Sequence, residues 1–384
     1  CRSDPGGGKG VTRAKAKIVI TGMGGLCSLG TSADAIWASM KAGKQGIGPI
    51  TTVDVSETKV MAGAEIVELP DIGLDHRRLV TMDRMAHLAV LASDEAWKQS
   101  GLSASEFGHR RIGAIVGVGT FGGISIDDAY RAVWRENKRF PPIFTVPKAM
   151  PGAAAGQVSM HLGLKGPVFG VSSACSSSNH AIGQAMDLLR SGKADVMIAG
   201  GADAPLSFGV LKAWETLRVI APEPCRPFSA DRAGLSIGEG TGIFVLETEE
   251  HAKARGATII ADAMAECLID AGLRPEDIDY INAHGTATKA NDVIETQAIR
   301  RAFGVAADRL SVSSTKSMHA HCMGASGAVE LIACIGAVRE NIVPPTISYR
   351  QPDPECDLDI TPNVAKQREV RAAMSNSFAF GGTN

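Results

Sequence analysis

The chain has 384 residues, 45% of them hydrophobic and 21% charged, with a net charge of −2. That balance supplies ample apolar surface for a large core, and it lacks the basic excess that nucleic-acid binding requires. No apolar run reaches the ~18 residues of a membrane span, and the eight cysteines are scattered without CxxC pairs or metal-ligand spacing. With no recognisable secretory signal, the expected compartment is the reducing cytoplasm.

The opening CRSDPGGGKGVTR reads as a linker or expression remnant, so residues 1–16 are set outside the fold. KIVITGMGG (17–25) reads as a strand ending in glycines, and GMGGLCSLG (22–30) as a tight strand-to-helix turn. The latter lacks full GxGxxG spacing and no acidic residue closes a second strand, so nucleotide binding is set aside. MDRMAHLAVLASDEAWKQSG (82–101) has the periodicity of an amphipathic helix with a glycine stop, and Arg77, Arg78 and Arg84 cluster around its start. Short buried strands are predicted at 111–119, 166–173 and 194–203, and a strand running into a helix at 242–256. This alternation predicts mostly parallel sheets covered by helices. Small residues, with 43 glycines and only 5% aromatics, suit close packing of such layers.

Three segments carry chemistry. In VSSACSSSNHAIGQAMDLLR (171–190) an apolar strand runs into Cys175, followed by Ile182, Met186 and Leu189 at helical spacing. The sulfur is thereby predicted at a helix N-terminus, where unpaired N–H groups and the macrodipole favour a thiolate near neutral pH without a dedicated base. YINAHGTATKAND (280–292) delivers His284 from a strand end into a Gly285 turn flanked by Thr286 and Thr288. SVSSTKSMHAHCMGASGAVELIACIGAV (311–338) holds Lys316 and His321 in a loop before a Gly/Ala-rich helix bearing Glu330. Two histidines at strand exits beside a helix-capped cysteine fit a Cys-His-His site. SNSFAFGGTN (375–384) adds a glycine-rich turn able to present N–H groups.

In this order the cysteine elbow, HGTAT, STKSMHAH and NSFAFGGTN resemble the elongating β-ketoacyl-[acyl-carrier-protein] synthases, from Lys17 to Asn384. ITGMGGLCSLG, STKSMHAHCMGA and PDPECDLDITPNV resemble the rhizobial nodulation branch of that family more than housekeeping synthases. The resemblance implies a thiolase-like α/β fold, with two similar βαβ halves (17–250 and 251–384) stacked as five αβαβα layers. It also implies decarboxylating condensation of an acyl chain with malonyl-carrier protein, with Cys175, His284, His321 and Lys316 as catalytic residues. The N–H groups of Cys175 and Phe380 would form the oxyanion hole. Thr286 and Thr288 would hold the pantetheine arm, Phe121 and Phe380 would line the acyl site, Lys316 would order His321 with Glu330 as its partner, and Glu295 would stand behind the catalytic groups. The glycines around Phe121 would leave it room to move.

Further implications are an acyl carrier protein as partner, docked at Arg77, Arg78 and Arg84, a homodimer, and no redox cofactor. Asn282, Glu330, Ser375 and Asn376 match positions that hold a small structural cation in relatives; a buried hydrogen-bond network without metal is the competing reading. A coenzyme A thiolase, with Cys322 as second cysteine, is the alternative within the fold. Departures from the family pattern are His319-Ala320 in place of Thr-Gly, Ala233 in place of aspartate and Ala379 in place of glycine. The text also passes directly from HAKARGATII (251–260) to ADAMAECLIDAGL, where a strand and a long loop are expected, so a segment near 260/261 reads as missing.

Overall fold

The computed structural model describes residues 16–103, 111–263, 268–379 and Gly382. Its principal elements in chain order begin with β1 (Ile18–Cys27), α1 (Ala33–Lys41), α2 (Arg84–Ser100), β2 (Ile112–Gly117), β3 (Val168–Val171) and α3 (Ser177–Arg190). They continue with β4 (Val196–Asp203), β5 (Gly240–Thr248), β6 (Ala261–Ala263), β7 (Tyr280–Asn282) and α4 (Lys289–Phe303). β8 (Ser311–Ser313), α5 (Ser326–Glu340) and β9 (Ala373–Ser375) complete the set.

The first sheet has six strands in the order β3-β2-β4-β5-β1-β6, and the second has three in the order β8-β7-β9. Alternation along β5 fixes the layers. Phe244 and Leu246 pack with Ile182 and Met186 of α3 and Val329 and Ile332 of α5, whereas Ile243 and Val245 pack with Met85, Leu88 and Ala92 of α2. Fully burying one such side chain contributes about 1.5–3 kcal/mol. On the far side of the second sheet, Ile281 and Val312 pack with Ile299 and Phe303 of α4. The stack therefore reads α2, six-stranded sheet, α3 and α5, three-stranded sheet, α4: five αβαβα layers.

Two expectations need correction. The first sheet is mixed: β2 runs parallel to β3 and β4, but β5 is antiparallel to β4 and β1, and β6 to β1. Hydrophobic periodicity reports which face of a strand is buried and carries no information about its direction. Among the described residues β6, the strand that follows Ile260, joins the edge of the first sheet beside β1. Finally, most of the glycine run at 22–30 lies inside β1, not in a turn. A Cβ at Gly22 or Gly24 would sit 2.1 Å from the carbonyl oxygen of Ala96 or Ala92, so these glycines let α2 lie directly on the strand. The helix itself follows its sequence signals: the Asp83 side chain caps Met85 N–H, and Gly101 ends it at φ 67°.

Candidate active site

Cys175 lies where β3 hands over to α3, in a short 3₁₀ turn spanning Ala174–Ser176. Ala174 adopts φ 49°, which turns the chain sharply enough to aim the next side chain inward. Cys175 is 6% exposed. His284 follows β7 and His321 precedes α5, so the thiol faces the C-terminal end of a strand in the second sheet and the approach to a central helix. Sγ of Cys175 and one ring nitrogen from each histidine all lie within 4.8 Å of one another. His321 Nε2 is 3.0 Å from Cys175 Sγ. The two imidazoles meet edge to face with centroids 5.4 Å apart, and Phe378 packs against His284 at 5.7 Å.

Burial sets the protonation states. It holds both His284 and His321 well below the ordinary imidazole value, and the Lys316 ammonium pushes in the same direction. Both rings are thus neutral at physiological pH. His321 Nδ1 lies 2.8 Å from Ser326 Oγ; with that hydroxyl donating to Nδ1, the proton resides on Nε2 and points at the sulfur. His284 Nδ1 is buried with no hydrogen-bond partner among the described residues. Burial pushes the Cys175 thiol up to about 11 against the lowering effect of Lys316. The helix N-terminus does not offset this burial, so Cys175 is a thiol near neutral pH rather than the expected thiolate, with His321 Nε2 as its hydrogen-bond neighbour.

The supporting residues lie around this centre. Lys316 Nζ, 1% exposed, donates to Oε1 of the fully buried Glu330. Glu295 accepts the backbone N–H of His284 at 2.7 Å and of Gly285 at 2.8 Å, fixing the turn that carries His284. Gly285 (φ 36°) has no room for a side chain, since a Cβ would lie 2.5 Å from Ser314 Cβ. Thr286 and Thr288 face each other, with hydroxyls 3.1 Å apart. Phe380 lies outside the described residues.

Other expectations change on inspection. Arg84 is not a free surface cation: its Nε bonds Glu239 Oε2 at 2.5 Å, its Nη2 bonds Glu239 Oε1 at 2.7 Å, and Glu239 is 1% exposed. Arg77 is exposed, and Arg78 is half-buried. Phe121 is 41% exposed, but its glycine neighbours are not slack. A Cβ would lie 2.6 Å from Ala174 O at Gly119 and 2.6 Å from Lys148 O at Gly122, so these glycines allow close packing rather than motion.

The set expected to hold a cation is a hydrogen-bonded network. Asn376 N–H donates to Asn282 O at 2.9 Å, Asn282 Nδ2 to Thr315 Oγ1 at 3.1 Å, and Ser375 Oγ to Glu330 Oε2 at 3.5 Å. Oxygen donors suit a hard ion, but any cation here would share Glu330 with the Lys316 ammonium, so the residues fit an ion pair better than a metal site. His319 is wholly buried beside Thr315, with Nε2 3.0 Å from Thr315 Oγ1, and burial takes its pKa down to about 3.

Sequence reasoning missed Ser326 and Asp203. The first is a serine at the start of a helix five residues after His321; the second ends a strand that is otherwise apolar and glycine-rich. Each has a local signal, a polar group at the active-site end of an element, but no periodicity marks it.

Comparison with known proteins places this geometry. The β-ketoacyl synthase N-terminal domain model matches residues 15–252, and the C-terminal domain model residues 240–350. The chain is a β-ketoacyl synthase. It is 56% identical to nodulation protein E of Rhizobium sp. (strain N33) over 391 aligned residues, covering 96% of this chain and 97% of that protein. It is 38% identical to 3-oxoacyl-[acyl-carrier-protein] synthase 2 of Coxiella burnetii, again over 96% of this chain and 97% of that protein. Among solved structures, a type II PKS ketosynthase in complex with its acyl-carrier protein superposes with a TM-score of 0.85 at 27% identity, covering 96% of this chain and 97% of that one. The fold of this β-ketoacyl synthase is thiolase-like, and its activity belongs to the acyltransferase class.

Proposed function

We propose that the enzyme condenses an acyl chain held on acyl carrier protein with malonyl-carrier protein, giving the 3-oxoacyl-carrier protein and CO2. The observation that carries this reading is the meeting of Cys175 Sγ with His284 and His321 within 4.8 Å, both imidazoles neutral. A neutral ring can donate one N–H to a developing enolate oxygen, which is what decarboxylation of a malonyl thioester demands.

In the first half-reaction Cys175 Sγ attacks the acyl thioester carbonyl, the carrier thiol leaves, and the thiol proton of Cys175 passes to the departing sulfur. In the second, the malonyl carboxylate loses CO2 and its bonding pair forms the enolate, held by the N–H groups of His284 and His321. The enolate carbon attacks the Cys175 thioester and expels the cysteine sulfur, which is reprotonated. The backbone N–H of Cys175 serves the tetrahedral intermediates, and Phe380 is its proposed companion. Lys316 lowers the cost of negative charge at the centre while Glu330 balances it. Thr286 and Thr288 take the pantetheine arm, and Phe121 borders the acyl chain. No redox cofactor enters this scheme.

The relatives named nodulation protein E support a specialised acyl product for Nod-factor synthesis, the reading we favour over a housekeeping 3-oxoacyl synthase. The ketosynthase structure with its bound carrier protein supports an acyl carrier protein as partner, with Arg77 the exposed candidate contact and Arg78 beside it. We further propose a cytoplasmic homodimer. Among the described residues no helix is long and apolar enough to cross a membrane.

Mass spectrometry of products formed from a panel of acyl-carrier donors and malonyl-carrier protein tests the reading. Elongation by two carbons with loss of CO2 is expected, and Cys175→Ala abolishes it. Cleavage of 3-oxoacyl coenzyme A without elongation would point to a thiolase instead.

A further inference from the structure

Asp203 is wholly buried at the end of β4, and no step described above uses it. Its carboxylate gathers four hydrogen bonds from two separate segments. Oδ2 accepts from Gly119 N–H at 2.8 Å and from Gly324 N–H at 2.6 Å. Oδ1 accepts from Thr120 N–H at 3.2 Å and from Thr120 Oγ1 at 2.5 Å. Gly119 and Thr120 lead directly into Phe121. Gly324 lies three residues after His321, in the turn that opens α5.

The two segments also touch each other and the nucleophile elbow. A Cβ at Gly324 would lie 2.2 Å from Gly119 N, and a Cβ at Gly119 would lie 2.6 Å from Ala174 O, the residue before Cys175. Asp203 is close enough to Cys175 for its charge to act on the thiol. One carboxylate therefore ties the turn bearing Phe121 to the loop bearing His321, and that turn packs against the elbow bearing Cys175. Asparagine cannot reproduce this, because its amide group would turn an N–H donor toward other N–H donors.

We propose that Asp203 is a positioning residue that sets acyl-chain selection, by fixing the Phe121 turn against the Cys175 elbow and the His321 loop. This rests on the condensing reaction proposed above, with Phe121 bordering the acyl chain. A carboxylate accepting backbone N–H groups in a buried site makes charge-assisted bonds, stronger than neutral ones. Releasing the Thr120 side alone should free Phe121 while leaving the Gly324 contact in place.

The test compares hexanoyl- and palmitoyl-loaded carrier protein as donors in steady-state condensation. The readout is the ratio of kcat/KM between the two donors, which a uniform loss of folded enzyme does not move. Asp203→Asn should change that ratio by about tenfold, the size of one lost charge-assisted hydrogen bond. Thr120→Val, which removes only the hydroxyl bond, should shift it in the same direction by a smaller factor. Asp203→Glu, which keeps the carboxylate, should bring the ratio back toward the unmutated value. If Asp203→Asn does not fold, Thr120→Val still decides. An unchanged ratio in both Thr120→Val and any folded Asp203→Asn, from an enzyme that condenses both donors, overturns the role of Asp203 alone. Absence of condensation by the unmutated enzyme overturns the underlying reaction and this role with it.

Discussion

His321 Nε2 sits 3.0 Å from Cys175 Sγ, while Ser326 Oγ lies 2.8 Å from the other nitrogen of the same ring. The imidazole is thus held between a hydroxyl and a sulfur, which fixes its plane; with the hydroxyl donating to Nδ1, the proton resides on Nε2. Burial keeps the ring neutral and keeps the thiol protonated, with the Cys175 pKa raised to about 11. Attack on a thioester then occurs from a site whose thiolate form is scarce at neutral pH.

A pH dependence follows. The Cys175 value lies above that of a free thiol, so the thiolate fraction keeps growing with pH beyond the range where ordinary cysteines are fully ionised. The iodoacetamide alkylation rate of Cys175, followed by peptide mapping, should therefore rise through pH 9 without a plateau. Lys316 lowers the thiol's pKa, so the paired substitution Lys316→Met with Glu330→Gln should slow alkylation at any fixed pH below 10. A plateau below pH 8 would show that the helix N-terminus outweighs burial.

Glu295 gives a second prediction. Its two oxygens receive the N–H groups of His284 and Gly285. Glu295→Ala would leave both buried donors unpaired, at about 1–3 kcal/mol each. Malonyl decarboxylation should fall by at least about tenfold, and the urea midpoint should drop. Glu295→Gln keeps one acceptor and should recover part of each. Full decarboxylation by Glu295→Ala would show that the turn holds His284 without this carboxylate.

The legible parts of this chain were those with a local pattern. The α2 helix was marked by its period, the Asp83 cap and the Gly101 stop, and the cysteine elbow by an apolar strand meeting a helical pattern. His284 and His321 stood out because each follows a strand in a loop rich in small residues. Contacts that depend on long-range packing were not legible. Arg84 looked like a surface cation because its partner Glu239 lies 155 residues away. The glycines of β1 looked like a turn because the carbonyls of Ala92 and Ala96 that crowd them belong to a different element. Strand direction in the mixed sheet and the clasp at Asp203 were hidden for the same reason.

Ala320 carries a third prediction. It adopts φ 60° and ψ −172°, a region almost reserved for glycine, directly before His321. The strain costs on the order of 1–3 kcal/mol. It is held by neighbours on both sides: Ala320 N–H donates to Lys316 O, and His321 N–H to Ser236 O. Ala320→Gly removes the clash and should raise the denaturation midpoint. The glycine also widens the range open to His321, so the stabilised variant should show an unchanged or lower decarboxylation rate. A lower midpoint would mean that the methyl group's packing outweighs its backbone cost.

Assembly gives the last prediction. Among the described residues β3 is the outer strand of the six-stranded sheet, with one edge that no other strand covers, and Phe169 on it is 41% exposed. Apolar surface beside an open strand edge is poorly tolerated in water by a lone subunit. A second copy related by a two-fold axis would continue the sheet through β3 and cover Phe169 in one isologous interface. Sedimentation should give twice the chain mass at micromolar concentration. Phe169→Lys sets two like charges near that axis and should shift the enzyme to monomers, with condensation lost because Cys175 lies four residues beyond the strand. A monomeric unmutated enzyme that condenses at full rate would show that this edge is covered in another way.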